Sequence, residues 1–310
     1  MSAVEDRRTM IIALAGATAI SFAPLLYIRS DTTALTGAFY RMFYALPVLG
    51  VLVFVSKKED ARDKNSRWLA FGAGILLAID FAGYHTAIDY IGSGIATMIG
   101  NSQVIIVTLA SWWLFGERPN RFILLSLPMV MLGLLLISGI WDDSPFGDDP
   151  VKGVIGGMVA AVFYSSFLIA YRQSNRIAAP AVNAQFDATA GAALGILILG
   201  TIPPSSLGIE AIDHSITWPS HGWLLFLAIF CQVIGWIAIT YALPRLPAAH
   251  TSFAVLLQPV LTIIWGVIIL NESPSLQQSA GMVLIFAAII AVTLFGDTEQ
   301  STPSLENLES

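Results

Sequence analysis

The 310 residues are 56% apolar and only 12% charged, with a formal net charge of −6. So few charges cannot cover a soluble globule of this size, and the apolar excess with a negative balance disfavours disorder, a collagen-like chain and nucleic-acid binding. The single cysteine, Cys231, removes an intrachain disulfide framework and a zinc cluster of several thiolates. An integral membrane protein remains, with the lipid bilayer as its surroundings.

A membrane-crossing helix needs about 20 mostly apolar residues. Ten such runs are predicted near 10–28, 33–55, 67–87, 93–114, 122–139, 152–172, 182–200, 221–241, 248–270 and 276–295. They are continuous and lack the period-2 polarity of an outer-membrane barrel. The first run is longer than the apolar part of a signal peptide, so it is expected to be retained.

Orientation follows from the basic residues, because positively charged loops stay cytoplasmic. With the N-terminus inside, Arg7, Arg8, Lys57, Lys58, Arg62, Lys64, Arg67, Arg118, Arg121, Arg172, Arg176 and Arg245 all fall on the inner side. Only Arg29 and Lys152 are outside, and Arg41 lies within a span. Asp142, Asp143, Asp148 and Asp149 fall in an external loop, and Trp68, Trp112, Trp113, Trp141, Trp218 and Trp223 sit near span ends, as an interfacial belt should. Both termini are expected in the cytoplasm, with localisation to the cell (inner) membrane.

Displacing the chain on itself by 155 positions aligns Gln103 with Gln258, Glu117 with Glu272, Pro119 with Pro274 and Ala87 with Ala242. The hydropathy aligns as well: each half has five spans, the fourth followed by a Glu-x-Pro turn. Because five is odd, the second copy enters from the opposite side, the inverted-repeat plan of many secondary transporters. The expected fold is therefore all-α, ten transmembrane helices in two inverted five-helix repeats. The divisions are a cytoplasmic tail 1–9, a first repeat 10–139, an acidic external loop 140–151, a second repeat 152–295 and a polar cytoplasmic tail 296–310.

With its ten spans, its duplication, Gln258-Pro259-Val260 in span nine, and the Gly116-Glu117 and Asn271-Glu272 turns, the chain resembles the EamA-like proteins of the drug/metabolite transporter superfamily. That resemblance implies a central cavity lined by spans one, three, four, six, eight and nine. It also implies movement of amino acids or other small metabolites, often outward; the alternatives are an uptake carrier or exchanger, a channel-like protein or a membrane-embedded enzyme, and neither catalysis nor a cofactor is expected. Span four has Gln103-Val104 where span nine has Gln258-Pro259, so the bend implied in span nine has no counterpart expected in span four.

Ionisable side chains inside a span are costly and each needs a reason. Arg41 lies roughly 12 Å into span two and Asp80 roughly 10 Å into span three from the same side, by the helical rise. They are predicted to form an ion pair, either a static packing device or a coupling element. Asp187, roughly 8 Å into span seven from the cytoplasm, either faces water at the interface or serves as a proton-coupling carboxylate, protons being a candidate partner of the solute. For His85 and His250, at span ends, a solvated or hydrogen-bonded imidazole is expected.

At 100° per residue, Thr97, Asn101, Thr108 and Trp112 share one face of span four, and Thr251, Gln258, Thr262 and Trp265 one face of span nine. Gln103 points about 200° away from Asn101. Gln232, Trp236 and Thr240 recur every fourth residue in span eight, Asp80 and Tyr84 share a face of span three, and Tyr164 lies in span six. The predicted substrate cavity is thus Asp80, Tyr84, Asn101, Tyr164, Gln232, Trp236, Gln258 and Trp265, a mixture of aromatic and hydrogen-bonding groups suited to a small amphipathic solute. Pro24 and Pro259 are the expected kink or gating positions. Glu117 and Glu272 lie on opposite sides and are expected to complement the dipole of the helix that follows each of them.

No metal site is expected, and no Gly-x-x-x-x-Gly-Lys-Ser/Thr, His-Glu-x-x-His or Gly-x-Ser-x-Gly motif occurs. The glycine pairs Gly72/Gly74 and Gly92/Gly94 permit close helix approach in a monomer or homodimer.

Overall fold

The computed structural model describes residues 3–56, 59–115, 121–138, 141, 144–174, 180–201, 210–242 and 248–295. These are helical with no strand among them. The helices are α1 (Ala3–Ser21), α2 (Ala23–Ser30), α3 (Ala34–Ser56), α4 (Lys64–Gly100), α5 (Gln103–Phe115), α6 (Arg121–Ile137), α7 (Pro150–Ser174), α8 (Ala181–Gly200), α9 (Ser220–Ala242), α10 (Ala248–Ile269) and α11 (Leu276–Phe295). Among the described residues six helices have the length and hydropathy of membrane spans, Arg8–Ser30, Ala34–Ser56, Lys64–Gly100, Pro150–Ser174, Ala181–Gly200 and Ser220–Ala242. Leu124–Ile137, Leu257–Ile269 and Leu276–Ala291 are shorter apolar helices.

Local chemistry sets several boundaries. The first predicted span is interrupted at Phe22, and Pro24 opens α2, where a missing N–H costs nothing. Asp31, at φ 50°, ends α2 in the left-handed conformation. Asp63 caps α4 by accepting from Ser66 N at 2.9 Å. Ser275 and Gln278 form a reciprocal capping box at the start of α11: Ser275 N donates to Gln278 Oε1 and Gln278 N donates to Ser275 Oγ.

Two departures from the expected spans matter for the site. At about 1.5 Å per residue a straight 37-residue α4 would be some 55 Å long, nearly twice the hydrocarbon thickness. It is bent instead at Gly92, whose φ of 78° is open to glycine at little steric cost. The helix then stops at Asn101-Ser102 and restarts at Gln103. Span four is therefore discontinuous, contrary to the expectation that only span nine bends. The run Gly100-Asn101-Ser102 joins three poor helix formers, two of which compete for backbone groups, and Asn101 Nδ2 does donate back to Thr97 O at 2.8 Å. α10 continues through Pro259. The second departure is a π-helical stretch, Leu227–Gly235, within α9, a local widening often found where a side chain is re-aimed for function.

α4 runs through the middle of the bundle, against α7 and α8, while α1 packs on α9 and α10, α3 on α8 and α9, and α6 on α11. Several crossings are glycine against glycine. A Cβ on Gly83 of α4 would lie 2.8 Å from the Gly156 carbonyl of α7, and one on Gly156 would lie 3.0 Å from the Gly83 carbonyl. Gly16 of α1 and Gly235 of α9 stand in the same reciprocal relation at 3.0 and 3.4 Å, as do Gly133 of α6 and Gly281 of α11 at 2.9 and 2.7 Å. Such contacts let helix backbones approach closely where lipid offers no hydrophobic drive for association. Of the glycine pairs singled out in the sequence, Gly74 abuts the Ala188 carbonyl of α8 while Gly72 faces open space.

Candidate functional site

A cavity of about 100 Å³ opens among α1 to α5, α7, α9 and α10. Its wall includes Pro24, Arg41, Asp80, Phe81, Tyr84, Thr97, Asn101, Gln103, Tyr164, Trp236 and Gln258. Six of the eight predicted cavity residues are there: Asp80, Tyr84, Asn101, Tyr164, Trp236 and Gln258.

Arg41 and Asp80 share this wall but form no ion pair with each other. Matching depth brings two side chains to one level without aiming one at the other. Arg41 Nε instead donates to Gln232 Oε1 at 2.9 Å, and its guanidinium carbon lies 4.4 Å from the centre of the Phe81 ring. The π-helical stretch supplies this contact, since Gln232 sits inside it. Gln185 of α8 donates to the Gln232 carbonyl at 2.8 Å and fixes it from behind. Gln232 thus acts on the cavity through Arg41 rather than as part of its wall. Asp80, 8% exposed, lines the cavity and forms no ion pair among the described residues.

The rest of the wall is aromatic or amide. Tyr84 and Thr97 share a hydrogen bond of 2.6 Å. Gln103 Oε1 is buried and without a hydrogen-bond partner, a group that a polar ligand would satisfy. Sequence periodicity set Gln103 and Asn101 on opposite faces, and that reasoning failed because it assumed a continuous helix. The break at Asn101-Ser102 turns both toward one space.

Trp265 is placed elsewhere. Its Nε1 donates to Ser21 Oγ at 3.0 Å and its ring stacks on Phe22 at 4.9 Å. With Thr262 Oγ1, which donates to Ser21 O at 3.2 Å, it fastens α10 to the α1–α2 junction. The side chains of Thr108, Trp112, His250 and Thr251 lie outside the described residues. His85 is an internal packing group, with Nδ1 on the Ala34 carbonyl at 3.1 Å and its ring stacked on Tyr27 at 4.0 Å.

Asp187 is away from the cavity, in a charged cluster at the junction of α3, α4 and α8. Arg62 Nη2 donates to Asp187 Oδ2 and to Asp60 Oδ2, each at 2.7 Å, and Arg67 Nε lies 3.5 Å from Asp187. The Arg62 side chain is fully enclosed. Its hydrogen bonds hold the Asp60 carboxyl below the usual carboxylate range. Asp187 therefore tethers the segment between α3 and α4 to α8. Sequence reasoning missed this because it treated Arg62 only as a cytoplasmic label.

Glu272 does not cap the helix that follows it. The Ser275–Gln278 box already occupies that end, and Glu272 crosses to α4: Ser93 N and Ser93 Oγ donate to Oε1 at 2.6 Å each, and Gly94 N donates to Oε2 at 3.1 Å. Glu117 lies outside the described residues. Among the described residues no three His, Cys, Asp or Glu side chains converge to hold a metal ion.

The comparisons agree with this architecture. A solved crystal structure superposes with a TM-score of 0.60 at 19% identity, covering 98% of this chain and 99% of that one. The chain is 24% identical over 260 residues to the uncharacterized transporter YcbK of Bacillus subtilis, covering 81% of this chain and 80% of the relative. It is 23% identical to an uncharacterized transporter of Archaeoglobus fulgidus, over 88% of this chain and 93% of the relative. It is 24% identical to the uncharacterized inner membrane transporter YhbE of Escherichia coli, over 81% of this chain and 76% of the relative. The model of the EamA-like transporter family matches twice, at residues 7–139 and 151–294, and this multi-pass membrane protein belongs to that family.

Proposed function

We propose that this chain is a secondary transporter that carries a small organic metabolite, an amino acid or a related solute, out of the cell across the cytoplasmic membrane by alternating access. The observation that carries the reading is the cavity itself. Arg41 and Asp80 line one cavity without forming a direct ion pair, and Tyr84, Tyr164, Trp236, Asn101, Gln103 and Gln258 surround them. A solute bearing both a carboxylate and an ammonium group suits these two charges, because burying either charge unpaired is costly.

The proposal includes ten spans in two inverted five-helix repeats, 10–139 and 152–295, with both termini cytoplasmic. Two observations support it. The family model matches the two halves separately. The glycine crossings fall where such a duplication requires: α1 on α9 is span one on span eight, α7 on α4 is span six on span three, and α6 on α11 joins the two fifth spans. Broken helices at mid-depth around a solute site are a further mark of transporters so built, and the break at Asn101-Ser102 lies beside the cavity.

Counterflow in proteoliposomes with a panel of amino acids, sugars and nucleobases, with and without a pH gradient, tests the reading. Saturable uptake accelerated by the same solute on the opposite side supports a carrier. Saturable uptake confined to right-side-out vesicles points to import, and non-saturating flux points to a channel.

A further inference from the structure

Glu272 is 7% exposed, and no basic side chain among the described residues pairs with it. Its charge is met instead by two backbone N–H groups and a hydroxyl at the point where α4 resumes after Gly92. Charge-assisted bonds to the first N–H groups of a helical segment are strong, and the segment's dipole adds to them. The surroundings are shaped for the carboxylate. A Cβ on Gly92 would come within 3.0 Å of Glu272 Cδ, one on Gly94 within 3.4 Å of Oε2, and one on Gly266 would collide with Oε2. Glu272 N donates to Gly266 O at 3.0 Å, with Asn271 at φ 56°, so the turn that delivers the carboxylate is itself fixed.

The two elements joined in this way are the bent end of α4 and the end of α10, which with α5 make up predicted spans four and nine. Near Glu272 they pack together, Gly94 against Ile263. Among the described residues α10 makes no comparable packing with α5, the other half of span four.

We infer that Glu272 is a latch that holds the external side of the cavity shut, and that its release from Ser93 and Gly94 accompanies outward opening. The inference rests on the alternating-access reading and on the orientation proposed above. A carboxylate bound to backbone amides gives an element two discrete arrangements, bound or released, as a bistable gate requires.

The test uses the full chain with Cys231→Ser, which removes the native thiol, and Asn101→Cys as a reporter in the cavity wall. A membrane-impermeant cationic methanethiosulfonate is applied to right-side-out and to inside-out vesicles. With Glu272 present, the reporter should react readily from the inner face and slowly from the outer. Glu272→Gln, which keeps one acceptor but loses the charge, should raise the outer rate about tenfold, the factor given by about 1.4 kcal/mol of lost bias. The inner rate should fall as the outer rate rises. Glu272→Ala should exceed Glu272→Gln, and Ser93→Ala, which removes one donor, should give a smaller rise; if Glu272→Ala does not accumulate, the other two carry the test. Reaction from the inner face alone, at one rate whatever stands at position 272, would overturn the latch and leave the carrier reading intact. Reaction from neither face would remove the cavity reading and the latch with it.

Discussion

Arg41 Nε donates to Gln232 Oε1 at 2.9 Å, and this bond between α3 and the π-helical part of α9 fixes one edge of the guanidinium of a residue only 3% exposed. The Phe81 ring lies 4.4 Å away and holds its carbon. Asp80 is left facing the cavity. A cation held by a neutral amide and an aromatic ring keeps its charge available, whereas pairing with Asp80 would have spent both charges on packing.

Gln232→Leu should therefore act in two ways. Removing a hydrogen bond to a buried charged group costs about 1.5–3 kcal/mol, visible as a lower melting temperature in detergent. The freed guanidinium should turn toward Asp80 and raise the KM for solute by about tenfold or more, equivalent to about 1.4 kcal/mol. Because the two residues act as one unit, Arg41→Met combined with Gln232→Leu should destabilise by less than the sum of the single changes.

The Arg62 cluster should matter for stability and not for solute recognition. Arg62→Met leaves Asp60 and Asp187 with only the half-exposed Arg67 as a cation, at 3.9 and 3.5 Å, and should cost up to about 3–5 kcal/mol, the range for a broken buried pair. Asp187→Asn should cost less, because Arg62 keeps Asp60, and its KM should match that of the parent protein. A raised KM in Asp187→Asn would return that carboxylate to the transport pathway.

Acid should release the same cluster with a definite sign. The Asp60 carboxyl is depressed in the folded state by its hydrogen bonds from Arg62, so its contribution is fully present above the unfolded value near 3.9 and is lost as pH falls through the lower folded value. The difference in melting temperature between the parent protein and Asp60→Asn should be constant near neutral pH and shrink below about pH 4.

The glycine crossings allow a controlled comparison. Gly83→Ala, Gly156→Ala and Gly235→Ala each place a methyl group against a neighbouring helix at 3.0 Å or less. Each should lower the melting temperature, by an overpacking cost of about 1–3 kcal/mol. Gly72→Ala meets nothing within 4 Å and should stabilise α4 by up to about 1 kcal/mol through helix propensity.

Several helix positions were legible in the sequence to within a few residues, because apolar length and flanking charge depend on local composition: 33–55 became Ala34–Ser56, and 182–200 became Ala181–Gly200, whereas 67–87 and 93–114 became one long helix, Lys64–Gly100, and a short one, Gln103–Phe115. Six cavity residues were legible for a related reason, since polar side chains within apolar runs are few and need a common enclosure. What misled was continuity. Facial angles computed along span four separated Asn101 from Gln103, and only the break at Ser102 reunites them. Pairwise partners were also beyond reach. Gln232 replaces Asp80 as the neighbour of Arg41 because a π-helical stretch alters the facing of α9, and Glu272 turns to Ser93 because Ser275 and Gln278 already cap α11. Trp265 has the spacing of a cavity residue, yet the break at Phe22 provides a closer partner in Ser21.

The proposed route is passage of a solute through the cavity bounded by Arg41 and Asp80. Its most direct test is counterflow of labelled amino acids in proteoliposomes holding the parent protein, Asp80→Asn or Arg41→Gln. Saturable, trans-accelerated flux of at least one zwitterionic solute is expected in the parent, and its loss in both variants, with each variant still folded. Flux of such a solute that persists at the parent rate and KM in both variants would contradict it.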